Sequence, residues 1–156
     1  MLSGVRQPLF EVVSRRYGSV KPLIRDPSDS WSAITARRGG PRAKAAIVSV
    51  LALRFAAGAR RAGLPANEGF SGFSRFDPSV PYAREFTDAM IATGPRHIIM
   101  CHPGHVDGEL AMLDPVVDRR RMEYDVLMRE VTLPERIWRP ARGADGPPVD
   151  WSCLPG

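Results

Sequence analysis

The run Arg96-His97-Ile98-Ile99-Met100 ends abruptly in Cys101-His102-Pro103-Gly104, and that junction constrains the fold more than any other stretch of the chain. Five mostly apolar residues with two β-branched isoleucines suffice for one buried strand and are too few for a helix. Pro103 and Gly104 stop the strand at once. Segments of helical and of strand-like pattern alternate on both sides. The spacing predicts a helix over 5–16 with Val5, Leu9, Val12 and Val13 on its apolar side, stopped by Gly18. A strand over 20–25 follows, with Asp26-Pro27-Ser28-Asp29 as a turn. After a break at 39–41 comes one packed helix over 43–62, then an irregular strand at 67–70. A helix over 81–92, the strand 96–100 and a helix over 118–130 complete the order. Such alternation implies an α/β fold with parallel strands and covering helices. In folds of this kind ligands bind beyond the carboxyl ends of the strands, where His102 would stand. A hydrogen-bonded loop histidine without a chemical role is the competing reading.

The remaining composition narrows the class. At 156 residues and 44% hydrophobic content the chain can bury a core. The net charge of +5 raises nucleic acid as a partner, but the basic residues are nearly all arginines scattered among acids, so none is expected. The densest run, Arg119-Arg120-Arg121, lies beside Asp118, Glu123 and Asp125 and is expected to form a solvated helix face. Within 43–62 only Ala45 to Leu53 is uninterrupted by charge, well short of the ~20 residues a membrane span needs. No secretory leader pattern opens the chain, and a cytoplasmic location is the expectation. Cys101 and Cys153 form neither a disulfide framework nor a zinc spacing, and Cys101 is expected to be a small buried hydrophobe. Residues 138–156, rich in Pro and Gly, are expected to be disordered or loosely docked.

The stretch CHPGHVDGELAMLDPVVDRRRMEYDVL resembles the C-terminal signature of the YdjC-like (ChbG/HpnK) carbohydrate deacetylases, a CHPG-x-x-D turn followed by an Arg- and Glu-rich helix. Gly63-Leu64-Pro65-Ala66-Asn67-Glu68-Gly69-Phe70-Ser71-Gly72-Phe73 is similar to a segment that the hopanoid-associated branch writes P-x-N-D-G-F-S-G-F, with Glu68 where Asp is usual. LSGVRQPLFEVVSRRYG and LIRDPSD also fit that branch, so the resemblance covers roughly residues 2 to 131. It implies a partial (β/α) barrel of the NodB/YdjC type over 1–131, with 132–156 as a tail. It also implies hydrolysis of an acetamide on an N-acetylated sugar or glycosylated hopanoid intermediate by water activated on a divalent metal (Zn or Mg). The family's acidic pair and D-x-H-x-H-x-x-P motif have no counterpart in the sequence. The metal ligands are therefore expected upstream of Leu2, and the chain alone is expected to be incomplete as an enzyme. The alternative is a non-catalytic remnant or interaction module, and an open strand edge would favour self-association.

The resemblance implies roles for particular residues. His102 matches the HPG histidine and is expected to act as general acid or base. Asp107 either orients His102 or a substrate hydroxyl, or caps the following turn. Asn67, Glu68 and Phe70 are expected to line a sugar pocket shared with His102, although Phe70, Phe73 and Phe76 also have the spacing of core aromatics. His105 is expected at the surface, and His97 to be structural. No metal ligand is assigned within the chain.

Overall fold

The computed structural model describes residues 3–17, 21–77, 79–114, 116–129 and 137. It is a mixed α/β arrangement: α1 (Ser3–Tyr17), α2 (Trp31–Ala36), α3 (Arg42–Leu51), α4 (Phe55–Arg61), β1 (Gly69–Ser71), α5 (Tyr82–Ala89), β2 (His97–Ile99), α6 (Gly108–Leu113) and α7 (Val117–Arg129). The expected Gly18 stop, the expected tail apart from residue 137, and Cys153 lie outside the described residues.

The expected parallel strands are present in a small sheet. β1 pairs with β2 in parallel, with Gly69 opposite His97, Phe70 opposite Ile98 and Ser71 opposite Ile99. The expected strand 20–25 is reduced to one parallel bridge between Ile24 and Ala66. A side chain holds that bridge in place. Asn67 is buried, and its Oδ1 accepts from Asp26 N at 2.7 Å while its Nδ2 donates to Asp26 O and Gly69 O, both at 2.8 Å. Both amide protons are thus spent on backbone, which replaces the ladder that the short strand lacks.

Two helical expectations are corrected. In α1 the buried residue is Phe10, with Val13 packed beside it, whereas Val5, Leu9 and Val12 are exposed. Phe10 turns inward because α4 offers it a groove. A Cβ on Gly58 would stand 2.9 Å from the Phe10 ring, and Ala56 and Ala59 complete the small-residue surface. The largest apolar side chain fills the one site that accepts it. The expected helix 43–62 is broken into α3 and α4 by a turn at Arg54, whose φ of 65° is left-handed. The break sets Phe55 against Phe10, ring centroids 5.2 Å apart. It also frees the carbonyls of Leu51 and Leu53, which accept from the Arg6 guanidinium, so a residue of α1 satisfies the end of α3.

α2 and α6 were not expected from the pattern. Each has a side-chain N-cap: Ser30 Oγ accepts from Ala33 N at 3.2 Å, and Asp107 Oδ1 accepts from Leu110 N at 2.8 Å.

The sheet is closely covered where β1 ends. Gly72 has a φ of +87°, and an added Cβ would overlap Met100 O and lie 2.7 Å from Met100 N. Gly72→Ala therefore combines left-handed backbone strain with a backbone clash that no rotamer relieves. Urea denaturation is expected to show a loss of roughly 3 kcal/mol or more.

His97 is half-buried. Its Nε2 meets Ser71 Oγ at 2.9 Å, and Ser71 Oγ donates to Ala89 O at 2.8 Å. Ser71 has used its proton, so Nε2–H is the donor to Ser71. Burial pushes the His97 pKa below its ordinary 6.5; Asp29 opposes the shift and Arg37 adds to it. The unfolded chain then binds a proton more readily than the folded one, so stability is full above that value and falls as pH drops below it. Denaturation midpoints at pH 7.5 and 5.5 are expected to differ more in the parent protein than in His97→Asn.

Candidate functional site at the 101–104 turn

Strand β2 delivers the chain into Cys101-His102-Pro103-Gly104 at its carboxyl end, where Met100 N still donates to Ser71 O at 2.9 Å. The turn is held by α7. His102 N donates to a Glu123 carboxylate oxygen, His102 O accepts from the Arg120 guanidinium at 3.5 Å, and Gly104 N donates to Arg120 O at 3.3 Å. The half-buried His102 ring lies against Phe76, with centroids 5.8 Å apart. Phe76, from the loop after β1, has a φ of 56°. Asp114 Oδ2 accepts from Arg120 Nε at 2.5 Å. Hydrogen bonds from Val116 N and then from Arg120 hold the Asp114 pKa low.

Beneath the turn sits a buried ionic cluster that the Arg119-Arg120-Arg121 pattern does not disclose. Arg119 is 5% exposed and is a correction to the expected solvated run. Its guanidinium pairs with Glu85 of α5, approaches Glu123 Oε1 to 3.5 Å, and donates to Val80 O at 3.2 Å and Ser74 Oγ at 3.4 Å. The same guanidinium lies over the Tyr82 ring, 4.8 Å from its centroid. Burial first, then the Glu123 carboxylate, raises the Tyr82 phenol far above its ordinary range and keeps it neutral. Only Arg121 behaves as the sequence suggests, exposed and paired with Asp125 at 3.1 Å. The signal for the buried member is the spacing Arg119 to Glu123, one helical turn, together with Glu85 on the buried side of α5.

The sequence-derived site residues are not all gathered here. His102 and Phe76 meet at the turn. Asp107 is exposed and spends a carboxylate oxygen on the cap of α6, which is the capping role. Glu68 N donates to Arg96 O at 2.9 Å, and its exposed side chain stands 3.5 Å from Arg96. Asn67 and Glu68 therefore lie at the amino ends of the parallel pair, and His102 lies beyond the carboxyl end. Four residues separate the level of Glu68 from Met100, roughly 13 Å along a strand. The structure does not bring them into one cleft with His102. Phe70 is 2% exposed, packed on Phe73 at 5.3 Å with the Arg25 guanidinium 5.9 Å from its centroid. That is the core option of the two its spacing left open.

Cys101 is exposed rather than a buried hydrophobe. Partial burial of its thiol and the nearby Glu123 carboxylate push its pKa up, which opposes thiolate formation. His105 is exposed and rests on Tyr124, centroids 4.4 Å apart. No group of three or more His, Cys, Asp or Glu that could hold a metal ion occurs among the described residues. His97, His102 and His105 are each engaged with different neighbours. The described residues do not fit the divalent metal that the resemblance implies. No helix among them is long and apolar enough to cross a membrane. No family model, curated protein or solved structure matches the chain.

Removing the cation from the cluster tests its weight. Arg119→Met leaves Glu85 and Glu123 buried without compensation, a change that costs about 3–5 kcal/mol in comparable buried pairs. The expected result is a matching drop in unfolding free energy by urea titration, while Arg121→Met, on the solvent side, changes it by less than about 0.5 kcal/mol.

Proposed function

We propose that the chain is the C-terminal part of a YdjC-like deacetylase, with its strands belonging to a partial (β/α) barrel and His102 acting as the proton-transfer group. The observation that carries the reading is the position of His102. It follows a parallel strand at its carboxyl end, and its backbone is fixed by two residues of α7 while its ring is left half open. A fixed backbone with a partly accessible imidazole is what a general acid or base requires.

In this reading the substrate is an N-acetylated sugar or glycolipid. Addition of water to the acetamide carbonyl gives a tetrahedral intermediate. His102 takes a proton from the water as it adds and returns it to the departing nitrogen as the bond to carbon breaks; the acetic acid released passes its proton to the amine, giving acetate and ammonium. Glu123 and Arg120 hold the main chain of the turn so that the imidazole keeps its place, and Phe76 shields one side of the ring. Asn67 has the role of holding the 24–26 backbone and does not touch substrate. In this reading the metal ligands come from outside the chain.

The test uses a restored protein, in which the chain is extended at its amino end by a segment that supplies the metal ligands. Acetate release from an N-acetylated sugar is expected, sensitive to chelator. His102→Ala is expected to lower kcat by about 10²–10⁴-fold with metal content unchanged. Unaltered turnover in His102→Ala would remove the proton-transfer role, and absence of acetate release from the restored protein would remove the deacetylase reading.

A further inference from the structure

Away from the 101–104 turn, a cleft of about 320 Å3 opens between the 26–31 segment and the α3–α4 turn, within the ~300–1,000 Å3 range of small-molecule sites. Its lining has three kinds of chemistry. Asp26 is 5% exposed, and one carboxylate oxygen accepts from Ser28 N at 3.0 Å. The other oxygen has no partner among the described residues. Asp26 is itself among the residues that line the cleft. Ser49, 7% exposed, accepts from Asp29 N at 3.1 Å and keeps its hydroxyl proton without an acceptor among the described residues. A nearly buried acceptor and a nearly buried donor thus share one lining, and such groups call for water, an ion or a ligand.

The second kind is apolar. Trp31 is 61% exposed and lines the cleft with Val50 and Leu53. The third is cationic: Arg54 and Arg60 are exposed, line the same cleft and have no side-chain hydrogen bond or ion pair among the described residues. Guanidinium groups bind phosphate oxygens in bidentate fashion, a carboxylate accepts from sugar hydroxyls as it does from a ribose diol, and an indole stacks on a ring face.

We propose that this cleft binds a phosphorylated sugar ring, with phosphate on Arg54 and Arg60, ring hydroxyls on Asp26 and Ser49, and a ring face on Trp31. That chemistry is offered by a free hexose phosphate and by a mononucleotide. The site uses no residue of the 101–104 turn, so it stands or falls separately from the deacetylase reading.

The full 156-residue chain is titrated by calorimetry with glucose 6-phosphate, AMP, glucose and inorganic phosphate, and the Trp31 indole N–H is followed by NMR. Binding of glucose 6-phosphate or AMP that moves the Trp31 signal, at least about tenfold tighter than glucose or inorganic phosphate, supports the proposal. The tighter of the two identifies the free or the nucleotide-borne sugar. Arg60→Gln and Trp31→Leu, both at exposed positions, are expected to fold as judged by circular dichroism and to weaken binding about tenfold each, the loss of one charge-assisted or stacking contact. Inorganic phosphate binding as tightly as either sugar ligand overturns the proposal in favour of a plain anion site. Absence of binding by both sugar ligands, or binding that leaves the Trp31 signal in place, overturns it outright.

Discussion

A guanidinium held away from water between two carboxylates is the constraint on which the candidate site depends. Arg119 draws together Glu85 from α5, Glu123 from its own helix, and Ser74 and Val80 from the segment after β1. Glu123 extends the set to the backbone of His102. Desolvating such charges costs more than a single pair returns, so the arrangement holds only with further donors and acceptors and a face for the cation. Ser74 Oγ, Val80 O and the Tyr82 ring supply these. One atom, Arg119 Nε, is left without a hydrogen bond, although Glu123 Oε1 stands 3.5 Å away. Specificity of placement, rather than net attraction, is what the cluster contributes: the turn after β2 has one position relative to α7 because the charges have one way to be satisfied.

The strand order was legible in the sequence because β-branched residues bounded by Pro and Gly leave little choice of element. Within 96–100, His97–Ile99 become β2, and the parallel sense follows from the intervening α5. Residues 20–25 carry the same kind of signal yet form a single bridge, since Asn67 meets the backbone there in place of a second strand ladder. The break of 43–62 was hidden because its left-handed residue is Arg54 rather than glycine. The inward face of α1 was hidden because periodicity weighs Val5, Leu9 and Val12 as heavily as Phe10, whereas the Gly58 groove admits the ring alone. α2 and α6 are too short for periodicity, and of their two caps, Ser30 and Asp107, the sequence pointed only to Asp107.

Of the candidate site, the place of His102 was readable from strand and turn together. Its supports were not, since Glu85, Tyr82 and Glu123 lie far apart in the chain and look like ordinary helix-surface residues. Asn67 and Glu68 carry polar side chains next to glycines, a pattern equally suited to a pocket and to a backbone clasp. Register decides between them, and it sets both residues at the end of the sheet remote from the turn.

The clasp between Asn67 and Asp26 also governs the order in which the molecule can assemble. Its partners are 41 residues apart, and α2, α3 and α4 lie between them. Closing a loop of that length carries an entropic cost that nothing within α2 to α4 returns until the amide reaches the Asp26 backbone. The helices can form from local contacts at any time, but the parallel bridge between Ile24 and Ala66 waits on a long-range encounter, which belongs to the slow class of folding events. A chain caught before that encounter would have its helices and its β1–β2 pair, with the 24–26 segment still undocked.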